Sequence, residues 1–141
     1  MAQQFDIAII GAGPGGYATA LRAAQLGKSV VMVERDATLG GTCLNRGCIP
    51  SKALITATRT LDTMRHGTQM GIVTSLEEID FGQLRDYREH TVATMTQGLR
   101  GLVAFRKITV YQGKASLDAD RTVHDDPPDD NAHVMRSAED G

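Results

Sequence analysis

Two short aliphatic runs separated by a glycine-opened helical stretch predict an α/β chain built on a parallel sheet. Phe5 to Ile10 ends at Gly11, and Ser29 to Glu34 ends at a carboxylate. Both are too short for a stable helix and rich in β-branched residues, so both read as strands. Between them Pro14 suits a helix's first turn, where its missing N–H costs nothing, and Ala18, Leu21, Ala24 and Leu26 fall near one face before Gly27. A helix between two strands of one sheet makes those strands parallel, and their continuous apolar character requires cover on both faces. Residues 5–34 are therefore expected to form a βαβ unit whose helix starts at Gly13 or Pro14.

The remaining elements follow in order. A helix is expected from near Pro50 to about His66. Asp80, followed three residues later by Gln83, resembles a capping box, and Val92, Met95, Leu99 and Leu102 recur at helical spacing, which predicts a long helix over about Phe81–Arg106. Lys107–Gln112 and Ala115–Leu117 read as strands around Gly113, with Arg121–His124 pairing as a hairpin. The last 24 residues carry eight acidic and two basic side chains, and Asp125-Asp126-Pro127-Pro128-Asp129-Asp130 has little apolar surface to offset its ordering entropy. Residues 1–124 are thus expected to fold and 125–141 to be a disordered acidic tail.

The 141 residues suffice for one domain with a modest core. A net charge of −2 argues against nucleic acid or an anionic membrane as partner, and runs of four aliphatic residues are far short of the roughly 20 needed to span a bilayer. Asp6 interrupts the place where an export signal's apolar stretch would lie, so the expected compartment is the cytoplasm.

Eight of the 15 glycines lie in residues 1–47. Gly11-Ala12-Gly13-Pro14-Gly15-Gly16 matches G-x-G-x-x-G, follows a predicted strand and opens a predicted helix. In that Rossmann-like setting Gly11 permits the tight turn, Gly13 lets a pyrophosphate approach the backbone, Gly16 lets helix and strand pack closely, and the first N–H groups of the helix face the phosphates. Glu34 follows Gly13 by 21 residues, where a carboxylate takes a ribose hydroxyl pair and repels a 2′-phosphate. NADP is disfavoured; NAD and FAD both remain.

The two cysteines, Cys43 and Cys48, are spaced C-x4-C in a glycine-rich loop that opens a helix. A zinc site needs about two further ligands at usable spacing, and no third cysteine exists, so no metal is expected. Inert packed thiols are the other bland reading. Redox chemistry fits better, because thiol–disulfide exchange needs one thiolate to attack and a second thiol to resolve, and a helix start with Arg46 and Lys52 nearby favours the thiolate. The pair is expected close enough to bond, with Cα atoms about 4.4–6.8 Å apart.

From Phe5 through Lys52, GAGPGGY, the strand-end Glu34 and GGTCLNRGCIPSKAL together resemble the flavin-dependent pyridine nucleotide–disulfide oxidoreductases. Within that family the cysteine segment is most similar to the N-terminal part of the dihydrolipoamide dehydrogenases. Glutathione- and mercuric-type reductases share the spacing but more often carry valine at the positions of Leu44 and Ile49. The resemblance implies a Rossmann-like FAD-binding domain and an oxidoreductase passing electrons between a dithiol or disulfide substrate, such as lipoamide, and NAD. It implies that Cys43 is the interchange thiol and that Cys48 lies against the flavin, with Lys52 near the flavin N5. Gly41 and Thr42 resemble contacts to the FAD, as do Pro14, Gly15 and Arg35 around the fingerprint and Glu34, while Gly113 with Ala115 looks like the backbone segment beside the adenine. Arg46 departs from the pattern, which usually has a small apolar residue there.

The resemblance covers residues 5 to about 124, whereas the family's chains exceed four hundred residues and form homodimers. No second G-x-G-x-x-G for NAD, no later flavin-completing Gly-Asp segment and no His-Glu general base appear in this sequence, and His66, His90, His124 and His133 do not sit in that base's pattern. The expectation is a truncated FAD-binding portion, inactive alone; the alternative is a nucleotide-binding fragment without catalysis.

Overall fold

The computed structural model describes residues 3–127 and 133–137. The chain runs β1 (Gln3–Phe5), β2 (Ile7–Ile10), α1 (Pro14–Gln25), β3 (Val30–Glu34), α2 (Gly41–Asn45), α3 (Cys48–His66), a 3-10 turn (Gly67–Met70), α4 (Phe81–Phe105), β4 (Thr109–Gln112), β5 (Lys114–Leu117), β6 (Val123–Asp126) and β7 (Val134–Ser137). Strands β2, β3 and β4 form a parallel sheet in that order, with Ile7 opposite Val30 and Val31 opposite Thr109. The βαβ unit is present as expected, and its helix begins at Pro14.

Strand β3 is the axis of the molecule, because all five of its residues are buried. Alternation sends Val30 and Met32 to one face, where Ala20 and Ala23 of α1 and Val103 of α4 pack, along with Ile108. Val31 and Val33 face the other way, onto Val123 of β6 and Met135 of β7. Each buried valine, isoleucine or methionine among them contributes about 1.5–3 kcal/mol relative to exposure. The result is helices on one face of the parallel sheet and a second sheet on the other.

That second sheet, ordered β1-β7-β6-β5, departs from two expectations. The first apolar run is not one strand: β1 pairs with β7 while β2 pairs with β3, and the chain changes sheets at Asp6. The Asp6 carboxylate accepts from the Ser29 N–H and hydroxyl, both at 2.6 Å, which pins the crossing point beside the start of β3. The acidic tail is the other correction. Asp125 and Asp126 belong to β6, Val134–Ser137 is β7, and Met135 is wholly buried. Folding continues past residue 124 because Val123 and Met135 supply the cover that Val31 and Val33 need. Asp125 is only 3% exposed; its carboxylate accepts from the His133 N–H and pairs with His133 Nδ1 at 3.1 Å, and the His133 ring stacks on Tyr111. His133 is therefore structural rather than a bystander of a loose tail. Residues 128–132 and 138–141 of the expected tail lie outside the described residues.

The long helix follows its prediction closely. Asp80 caps α4 by accepting from the Gln83 N–H at 3.0 Å, and the helix ends at Phe105, with Lys107 turning the chain at φ 56° into β4. Helix α3 packs against α4. The hairpin after Gly113 pairs β5 with β6 antiparallel, its second arm shifted two residues along the chain from the expected Arg121–His124, since β6 runs from Val123 to Asp126.

Candidate functional site

The glycine-rich turn leaves the C-terminal end of β2 at the centre of the site. Gly11 has φ +91°, and its N–H donates to the Val33 carbonyl at 2.7 Å, which ties the turn to the end of β3. A side chain at Gly16 would place its Cβ 1.9 Å from the Gly11 carbonyl oxygen, so the close packing asked of the third glycine is real. Gly13 and Gly15, in contrast, have nothing within 4 Å of the Cβ position, which leaves open space at the start of α1. Helix α1 has no side-chain cap at Gly13, so its first N–H groups are available to an anion.

Glu34 ends β3 with its carboxylate turned back onto this turn. One oxygen accepts from the Ala12 N–H at 2.6 Å and the other from the Asp36 N–H at 2.9 Å. The side chain is 7% exposed, and each oxygen retains a second lone pair. Gly113 is brought to the same place by donating its N–H to the Glu34 carbonyl at 2.9 Å. A cleft of about 440 Å³ opens beside Glu34 and Asp36 and extends to Thr38, Gln112 and Arg100 of α4. Arg35 is exposed on the outside, 3.7 Å from the Asp36 carboxylate.

The cysteine loop docks onto the turn. Gly40 (φ 107°) and Gly41 (φ 60°) are successive left-handed residues, and a Cβ on Gly41 would lie 2.8 Å from the Gly13 Cα. The Gly40 N–H donates to the Ala12 carbonyl at 2.8 Å. Two consecutive glycines thus let α2 start against the very backbone that a pyrophosphate would approach. Cys43 lies in α2 and Cys48 opens α3; they form a disulfide with a Cα separation of 4.7 Å, inside the expected range. Cys48 is exposed and Cys43 half-buried, and Thr42 and Lys52, both expected on the cofactor side, are exposed. The position of Cys48 at the head of a 19-residue helix favours its thiolate once the bond is reduced.

The structure thus gathers Gly11, Gly13, Pro14, Gly15, Gly16, Glu34, Gly41 and Gly113 around one turn, with Cys43 and Cys48 adjoining through Gly40 and Gly41. The Ala115 side chain points away from them, into the core under β3 with Val31 and Val33. Three contributors escaped the sequence reading. Asp36, Gly40 and Asn45 fix the loop, Asn45 by donating to the Leu39 and Gly41 carbonyls at 3.1 and 3.0 Å and accepting from the Thr38 hydroxyl at 2.9 Å. Only the doubled glycine was a visible signal. Arg46, expected to bias the cysteines by its charge, has its guanidinium paired with Asp36. Among the described residues no group of three or more His, Cys, Asp and Glu side chains is placed to hold a metal ion, and no helix is long and apolar enough to cross a membrane.

Comparison with known proteins agrees with this arrangement. Dihydrolipoyl dehydrogenase of Bacillus subtilis is 47% identical over 110 residues, 78% of this chain and 23% of that protein. The enzymes of the same name from Haemophilus influenzae and Chlamydia muridarum are 42% and 46% identical over 118 residues, covering 84% and 83% of this chain and 25% of each relative. The chain spans about a quarter of the length of the curated relatives it matches. The profile of the pyridine nucleotide-disulphide oxidoreductases matches residues 5–134, ten residues beyond the expected limit of the resemblance and into the second sheet. With the glycine turn, the strand-end carboxylate and the bonded cysteines in one place, and the match spanning nearly the whole chain, the protein belongs to the pyridine nucleotide-disulphide oxidoreductase family.

Proposed function

We propose that these residues form the FAD-binding and redox-disulfide portion of a dihydrolipoyl dehydrogenase-like oxidoreductase. The observation that carries the reading is the docking of the Cys43–Cys48 loop on the glycine turn through Gly40 N–H to Ala12 carbonyl, which holds a two-electron dithiol couple beside an anion-receptive helix start. The residues fit a dinucleotide: open space at Gly13 and Gly15 admits a pyrophosphate, uncapped α1 N–H groups meet its charge, and the Glu34 oxygens keep lone pairs for ribose hydroxyls. Bound FAD would supply the electron relay between the disulfide and a nicotinamide. The chain's own part is to orient it: Gly11, Gly13, Pro14, Gly15 and Gly16 at the pyrophosphate, Glu34 with Arg35 and Gly113 on the adenosine side, Gly41 and Thr42 between the two halves, and Cys48 and Lys52 toward the flavin ring. Ala115 supports the adenine side only through its backbone, since its side chain is committed to the core.

In the substrate half-reaction Cys43 is the exchanging thiol. Reduction by a dihydrolipoyl-type dithiol breaks the Cys43–Cys48 bond, delivers two electrons and two protons, and leaves the substrate as its cyclic disulfide. Such exchange suits a reducing, cytoplasmic setting, and the assembly that the family resemblance suggests is a homodimer. A second reading, nucleotide binding without NAD-linked turnover, is favoured for these 141 residues by the single G-x-G-x-x-G in the sequence. Adding FAD to the purified chain and passing it through a desalting column tests the proposal. A retained flavin band, lost in Glu34→Ala, supports it; a colourless protein whose cysteines still form a disulfide overturns the FAD assignment.

A further inference from the structure

We propose that Arg46 is a positioning residue that holds the Cys43–Cys48 pair in its bonded arrangement by tying the turn between the cysteines to Asp36. The proposal rests on the redox reading of the pair. Arg46 is the residue that ends α2, with φ −133° and its N–H donating to the Thr42 carbonyl at 2.9 Å, and it lies inside the short segment that the disulfide closes. Its guanidinium reaches back ten residues to the Asp36 carboxylate. Asp36 is no free surface acid: its N–H donates to the Glu34 carboxylate at 2.9 Å, and Glu34 in turn holds the Ala12 N–H. One continuous line of contacts thus joins the cysteine turn to the nucleotide turn: Arg46, Asp36, Glu34, Ala12. Asn45, the neighbour of Arg46, anchors the inner side of the same turn to the Leu39 and Gly41 carbonyls.

The physical consequence concerns the reduced state. When the bond opens, Cys48 stays on α3, while Cys43 is held only by the short α2 and its tethers. A tether that keeps the two sulfur atoms near one another raises the effective concentration of one thiol at the other, and so favours the disulfide over the dithiol. A partly exposed charge pair supplies a modest bias, about two- to fivefold in that equilibrium. Pairing with Asp36 also diverts the Arg46 charge from the thiolates, which acts in the same direction.

The test is the equilibrium of the purified chain with dithiothreitol, in which reduction of Cys43–Cys48 is balanced by formation of the cyclic disulfide of the reagent. Wild type, Arg46→Ala, Arg46→Lys, Asp36→Ala and the double alanine variant are compared by thiol counting, with thermal melting measured in parallel. Arg46→Ala and Asp36→Ala are expected to shift the equilibrium toward the dithiol by about two- to fivefold each, the double variant no further than either single, and Arg46→Lys less than twofold. Unchanged equilibria in both alanine variants, additive shifts in the double variant, or a lowered melting temperature without any shift would overturn the proposal. A wild-type pair that does not exchange at all would overturn the redox reading and the proposal together, whereas a normally exchanging wild type matched by Arg46→Ala removes only the role of Arg46.

Discussion

The Glu34 carboxylate accepts from the Ala12 N–H at 2.6 Å, across the mouth of the turn between β2 and α1. The acid that ends the second strand of a βαβ unit is thus part of the turn's own scaffold before it meets any ligand. Glu34→Gln keeps the size but replaces one acceptor by an amide that faces a backbone N–H. The expected cost is about 1–3 kcal/mol of stability, with weaker FAD retention, checked by urea unfolding and by flavin fluorescence.

The glycines separate into two kinds. Gly16→Ala sets a methyl group against the Gly11 carbonyl, where the gap is 1.9 Å, and is expected to prevent a native turn or lower the melting temperature by many degrees. Gly13→Ala meets no atom within 4 Å and is expected to fold normally while losing FAD affinity at least tenfold. Circular dichroism melts and flavin titration on the two variants distinguish packing from ligand space.

Much of this is legible in the sequence. The βαβ unit, the cap at Asp80, the break at Gly113 and the bonded cysteines all rest on local signals, each within 30 residues of chain. What stayed hidden depends on long-range pairing. Val134–Ser137 reads as part of an acidic tail because β7 becomes favourable only beside β1 and under Val31 and Val33, and nothing near it in sequence shows that. The burial of the Ala115 side chain stays hidden for a related reason: alternation along β5 turns it into a core whose other wall comes from Val123 and Met135.

Met135 provides the direct check of that second sheet. Wholly buried among Val31, Val33 and Val123, its replacement by alanine is expected to cost about 2–5 kcal/mol, measured by denaturant unfolding. A true loose tail would give no change.

Acid should weaken two joints. Hydrogen bonds from Ser29 hold the Asp6 carboxyl below the usual carboxylate range, and the Gln83 N–H does the same for Asp80 at the start of α4. Both groups are depressed in the folded state, so their stabilisation is complete above about pH 3.9, the unfolded value, and is lost as pH falls through the folded values. Melting temperatures recorded between pH 6 and pH 2 should therefore fall less steeply in Asp6→Asn and Asp80→Asn than in the wild type, which should start higher.

Added FAD, NAD and dihydrolipoamide should not give sustained NADH formation by the 141-residue chain. Holding a nicotinamide against a flavin accounts for roughly 7–11 kcal/mol of barrier in well-oriented systems, and this sequence has one dinucleotide motif, not two. Steady turnover in a coupled absorbance assay, abolished by Cys48→Ser, would refute this.

The pairing of β1 with β7 sets the order in which the molecule can be assembled on a ribosome. Gln3 is made more than 120 residues before its partner Met135. The glycine turn, β3 and the cysteine loop can all form while that strand still waits, so the glycine-turn end can mature before the opposite face of β3 is covered. Non-local closure of this kind is slow, and until it happens Val31 and Val33 present an apolar stripe to chaperones and to other nascent chains.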